Sequence, residues 1–195
     1  MRKFLFAMLF VGLAANPLFA QNELIGYGER HNQINRRAMQ ILSGWSLANM
    51  AAAGIQYRAS DGRDRYFHEM TLMWNAVNLG IAGLGYWRAR HSLHNLSLAD
   101  AIDKQRGIEK LLLLNTGLDA AYIMTGVYLV NRGNDITREG ERLQGYGAAI
   151  ILQGSFLLAF DVVYYFFHTR NNRKLNAILQ RVEISSNSVG VRFSF

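Results

Sequence analysis

The sequence predicts an all-α fold, a four-helix transmembrane bundle after an N-terminal signal peptide, with a short C-terminal tail whose last residues have an extended pattern. Three observations carry that prediction. Four apolar blocks, each roughly 20–25 residues and so about 30–37 Å as helices, match the thickness of a bilayer core. Charged linkers separate them. The polar residues inside the blocks recur at helical spacing, so they share faces rather than scatter.

The N-terminus, MRKFLFAMLFVGLAANPLFAQ, has the three parts of a secretory signal. Arg2 and Lys3 are the basic start, Phe4 to Ala15 the apolar core, and Leu18-Phe19-Ala20 the cleavage region. Residues 1–20 are therefore expected to be removed, although Leu18 is larger than the usual small residue there. Gln21 to Asn35 then reads as a short polar lead.

The membrane domain is expected over residues 21–168. Its first helix covers about 34–57, with no charge from Ala38 to Tyr57. Gly44, Ala48 and Ala52 form a small-residue row that would admit a neighbouring helix closely. RASDGRDR follows, a charged linker with an Asp-Gly turn signal. The second helix, about 66–88, carries Thr71, Asn75, Asn78, Ala82 and Gly85 on one narrow face. The third, about 108–131, follows a polar linker from Arg88 to Lys110. Asn115, Asp119, Tyr122 and Gly126 make one stripe on it. After a polar stretch with Gly133 and Gly140 as breakers, the fourth helix covers about 143–168. Gln153 and Asp161 interrupt it, and it ends in the aromatic run VVYYFFH, a composition suited to lipid headgroup level. Soluble bundles show a wide charged face on each helix, and these segments show almost none. Lys and Arg are too evenly spread over the linkers to set orientation. Two apolar hairpins in succession suggest a duplication, although identities between the halves are sparse.

If the helices alternate up and down, Asp119 and Asp161 fall at matching depth, roughly 10–12 Å below one surface. Ser46, Asn49, Asn75, Asn78, Asn115, Asp119, Tyr122 and Asp161 are then expected to form one polar interior. Arg36, Arg37 and Arg88, on the same side, are candidate charge partners that snorkel toward an Asp. The cluster has a structural reading, polar bonds between helices. It also has a functional one, a pocket for a proton, a cation or a small polar ligand, since two adjacent carboxylates in low dielectric hold one proton between them.

Other chemistry finds little support. The formal charge is +7, but the basic residues are scattered, with no basic face of interleaved aromatics, so nucleic acid is not an expected partner. The chain has no cysteine, which excludes disulfides, thiolate metal sites and a cysteine nucleophile. His68 and His168 would lie on opposite membrane faces and could not hold one haem. His91 and His94 have metal-compatible spacing but no evident third ligand. The glycine patches GYGER and GLGY lack a nucleotide-binding context, and no serine sits in a nucleophile elbow. No metal or cofactor is expected. Residues 169–195 read as a polar tail, a short surface helix followed by ISSNSVGVRFSF. That alternation resembles the last strand of an outer-membrane barrel, but four helix-length apolar blocks do not fit a barrel.

The stretches RYFHEMTLMWNAVNLGIAG, NTGLDAAY and LQGSFLLAFD resemble a Bacteroidota family of small membrane proteins of unknown function. The resemblance covers about Arg36 to His168. It implies a signal peptide followed by four helices, and no activity. The expected function is that of a non-enzymatic integral membrane protein, in the inner membrane of a Gram-negative bacterium. Its polar cluster would serve helix packing or binding of a small ligand, lipid or membrane-protein partner, a second copy included. The alternative is a small transporter or proton-coupled component using Asp119 and Asp161. An outer-membrane-associated protein is a lesser alternative.

Overall fold

The computed structural model describes residues 2–90, 96–136 and 139–186, with side chains described between residues 21 and 180 of those ranges. They form four helices: α1 (Arg2–Tyr57), α2 (Gly62–Arg90), α3 (Leu98–Asp135) and α4 (Gly140–Ser186). Two of them, α3 and α4, are long and apolar enough to cross a membrane.

Each helix is longer than its apolar block. The 21–35 lead is not a separate polar segment but part of α1, and Leu24, Tyr27, His31 and Ile34 make a buried stripe along it. Likewise α3 begins at Leu98 rather than near 108, because Ser97 caps it. The Ser97 hydroxyl accepts from the Asp100 backbone N–H at 3.1 Å, and the Asp100 carboxylate accepts from the Ser97 N–H. Ser97→Ala should cost about 0.5–2 kcal/mol, read as a lower thermal midpoint with helix content unchanged. The first part of the 169–195 tail continues α4, with Leu175 and Ile178 buried. The expected alternation over 184–195 falls on residues that are helical up to Ser186 and otherwise outside the described residues.

At one end of the molecule these extensions build a small apolar core from Leu24, Tyr27, Leu96, Ala101 and Leu175. A second core, of Ile34, Ala38, Leu112 and Tyr164, lies next to it.

Buried positions on α3 recur every seven residues: Gln105, Leu112, Asp119, Gly126 and Gly133. On α2 they alternate by three and four: His68, Thr71, Asn75, Asn78, Ala82. This is the 3.5-residue period of helices that wrap around one another. The α3–α4 hairpin is antiparallel and in register. A Cβ on Gly126 would lie 2.7 Å from the Gly147 carbonyl oxygen, and one on Gly133 would lie 2.6 Å from that of Gly140. The break between α3 and α4 falls between Gly133 and Gly140, and these two glycines are also where the two backbones touch. By contrast Gly44 meets nothing within 4 Å, and Ala48 and Ala52 are exposed, so the small-residue row on α1 faces outward.

The backbone of α4 packs against all three other helices, most extensively α3, while α1 packs on α2. Among the described residues the backbones of α2 and α3 stay apart, and only side chains reach between them. The consequence is a gap along one side of the bundle.

Candidate functional site: the cleft between α2 and α3

That gap is an open cleft of about 1180 Å³. Apolar residues of α2 (Met73, Val77, Ile81, Leu84) and α3 (Ile108, Leu111, Leu118) make its walls, and α1 and α4 supply the floor through Met39, Leu42, Leu157 and Phe160. Trp74 and Tyr122 meet edge to face across it, their ring centroids 5.0 Å apart.

Five of the eight candidate residues line the cleft: Asn78, Asn115, Asp119, Tyr122 and Asp161. Asp119 and Asp161 are 3% and 5% exposed, although they come from different helices. The Asp161 carboxyl lies within hydrogen-bonding reach of both Asp119 and Asn115. One oxygen of Asp119, Oδ2, is buried without a partner, and so is Nδ2 of Asn78 on the facing helix. Tyr122 is 37% exposed, so it is more a rim residue than an interior one.

The remaining three candidates lie elsewhere in the packing. Asn49 joins α1 to α4: Gln153 Nε2 donates to its Oδ1 at 3.3 Å, and Trp45 Nε1 donates to Gln153 Oε1 at 2.9 Å. Trp45 also stacks on Phe156 at 3.9 Å between centroids. Asn75 donates back along α2 to the Thr71 carbonyl at 2.8 Å, a local bond that serves its amide nitrogen, while its Oδ1 is buried without a partner. Ser46 is fully buried, and its hydroxyl has no partner. Of the single polar interior expected from the sequence, five residues thus share the cleft and three sit apart, because helices that share a depth still present their stripes to different neighbours.

The arginines do not act as expected. Arg88 lines the cleft, but Arg36 and Arg37 do not, and none of the three makes an ion pair with Asp119 or Asp161.

A further polar cluster, not anticipated from the sequence apart from His168, closes one end of the cleft. Asn35 Oδ1 accepts from the Tyr164 hydroxyl at 2.6 Å and lies 2.9 Å from His168 Nε2. The His31 and His168 rings meet edge to face at 4.8 Å. Tyr27 donates to Gln105 at 2.7 Å, and Gln105 donates to the His168 carbonyl at 3.1 Å. His168 does not close α4, which runs on to Ser186; it belongs to this cluster, on the same face as Asp161 one heptad before it. That seven-residue step, Gly147, Gly154, Asp161, His168, Leu175, was the available signal. His91 and His94 lie outside the described residues. Among the described residues no group of three or more His, Cys, Asp or Glu is arranged to hold a metal ion.

His31 stands just before the first apolar block. Burial, helped by the Lys104 charge, lowers its pKa to about 4. The folded chain thus binds fewer protons here than the unfolded one, whose histidine titrates near 6.5, so stability is complete above about pH 6.5 and falls as the pH drops toward 4. The loss is of order 3 kcal/mol. Unfolding measured between pH 7 and pH 4 should show the His31 contribution as a smaller loss of stability in His31→Gln than in the parent chain.

No curated protein and no solved structure matches this chain. A family model described as a family of unknown function, DUF6992, matches residues 41–162, a stretch that takes in α2, all of the α2–α3 cleft walls, and the Asp119–Asp161 pair. The chain belongs to the DUF6992 family.

Proposed function

We propose that this is a non-enzymatic integral membrane protein that binds a largely apolar small molecule or lipid in the α2–α3 cleft. The cleft itself carries the reading. Its volume is that of a ligand site, its walls are mostly apolar, and Asn78, Asn115, Asp119 and Asp161 supply polar groups among them.

The distribution of side chains supports lipid surroundings for all four helices. The interior holds Ser46, His68, Thr71, Asn75, Asn78, Gln105, Asp119, Gln153, Asp161 and His168, while Ile55, Trp87, Leu114, Met124 and Phe166 are at least 60% exposed. A water-soluble bundle has the opposite arrangement. In lipid, small and polar residues mediate packing and apolar ones face the acyl chains. Spans at about 34–57, 66–88, 108–131 and 143–168 fit the exposed apolar band. On this reading residues 1–20 are a signal cut after Ala20, and the cleft's polar end faces the periplasm from the inner membrane of a Gram-negative bacterium. The extensions of α1, α3 and α4 form a cap beyond the membrane.

The test is to purify the full chain in nanodiscs of defined lipid and extract what stays bound. A stoichiometric lipid or apolar metabolite should co-purify, and Val77→Trp or Leu84→Trp, which fill the cleft, should reduce its occupancy at least tenfold. Unchanged occupancy in both variants would refute the reading. Recovery of untreated protein in the aqueous supernatant would refute membrane residence.

A second reading, transport coupled to protons, is favoured by the meeting of Asp119 and Asp161. Proteoliposome flux abolished by Asp119→Asn or Asp161→Asn would support it; flux unchanged by both would remove it.

A further inference from the structure

We infer that the ligand of the cleft is a hydrophobic organic cation, a protonated amine or an onium ion, whose charge sits on Asp119 and Asp161. This rests on the cleft reading above and adds the ligand's charge to it.

Two carboxyl groups from different helices come within hydrogen-bonding reach at the floor of an otherwise apolar cleft. Two ionised carboxylates so placed repel each other unless a shared proton or a cation lies between them. Among the described residues no Lys, Arg or His side chain makes an ion pair with either. The nearest basic residues on the cleft wall, Arg88 and Lys104, stand toward its other end. Arg88 is ten residues along α2 from Asn78, about 15 Å, too far to neutralise the pair. An anion entering here would face two acids.

An independent observation comes from the opposite wall. Asn78 is 4% exposed, lines the cleft, and has an amide nitrogen with no partner. Turned over, the same amide presents its carbonyl oxygen to an N–H, the amide orientation being interchangeable. Asn78 therefore suits a polar group held between α2 and the acid pair. Trp74, Tyr122 and Phe160 line the same space, and aromatic faces attract cations most strongly where water is excluded. The apolar walls require that the charge be carried on a hydrophobic body.

The test compares two probes of the same shape and opposite charge, tetraphenylphosphonium and tetraphenylborate. Equilibrium dialysis is run against the full chain in nanodiscs, with empty nanodiscs as reference. Phosphonium should bind saturably and borate should not. Asp119→Asn and Asp161→Asn should each weaken phosphonium binding at least tenfold with helix content unchanged, and Asp161→Glu should retain it. Equal binding of the two probes, no saturable phosphonium binding, or full affinity in both Asn variants would overturn the proposal. If the Asn variants do not fold, the comparison of probes on the parent chain decides. Phosphonium binding that ignores the acids but is lost in Val77→Trp would sink the cation and leave the cleft. A Val77→Trp variant that alters neither phosphonium binding nor co-purified lipid would sink the cleft.

Discussion

Gly126→Val, and equally Gly147→Val, should cost about 3 kcal/mol, the upper end of what overpacking a close contact costs. The α3–α4 crossing leaves no room for a side chain. A Cβ on Gly126 would stand 2.7 Å from the Gly147 carbonyl oxygen and 3.0 Å from the Ile151 backbone nitrogen. A Cβ on Gly147 would stand 2.6 Å from the Gly126 carbonyl and 2.9 Å from the Val130 nitrogen. These are backbone atoms, which cannot swing aside as the end of a flexible side chain can. Relief requires the helices to separate, and separation displaces Asp119 from Asp161 along the same seam. Gly44→Val supplies the control: with nothing within 4 Å of its Cβ, its effect should stay within about 0.5 kcal/mol. Thermal unfolding of the three variants in one detergent checks both. Equal midpoints for Gly44→Val and Gly147→Val would contradict the packing described.

Asn35→Leu should cost about 2–5 kcal/mol. Its side-chain oxygen serves two groups at once, the Tyr164 hydroxyl at 2.6 Å and His168 Nε2 at 2.9 Å. Tyr164 is 7% exposed and His168 fully buried, so neither gains water when Asn35 is lost. Each buried polar group left without a partner costs about 1–3 kcal/mol. Leucine is of similar volume and fills the space, which separates a lost hydrogen bond from a cavity. Tyr164→Phe removes one of the two orphans, so the double variant Asn35→Leu/Tyr164→Phe should recover part of the loss. A double variant no more stable than Asn35→Leu alone would show that the Tyr164 bond contributes nothing.

Four long helices, polar stripes turned inward, and the common level of Asp119 and Asp161 were legible in the chain. Each follows from local chemistry: block length sets helix existence, a 3.5–3.6-residue period sets the buried face, and distance from the linkers sets depth. The overruns of α1 and α4 were less legible, because their polar-looking extensions bury one residue in three or four and a composition average hides that.

What the chain alone could not decide was which face meets which helix. Gly44, Ala48 and Ala52 have the same spacing logic as Gly126 and Gly133, yet the first row faces outward and the second is a backbone contact. A stripe specifies that something packs there, and the partner is chosen by mutual fit over the whole bundle. The tertiary structure alone set the register that brings Gly126 to Gly147. It also placed five of the eight polar candidates in the cleft and three apart from it, and it kept the backbones of α2 and α3 from packing on each other. That gap arises because α4 packs closely on both flanking helices and holds them apart, a geometric consequence of four cylinders that no single segment encodes.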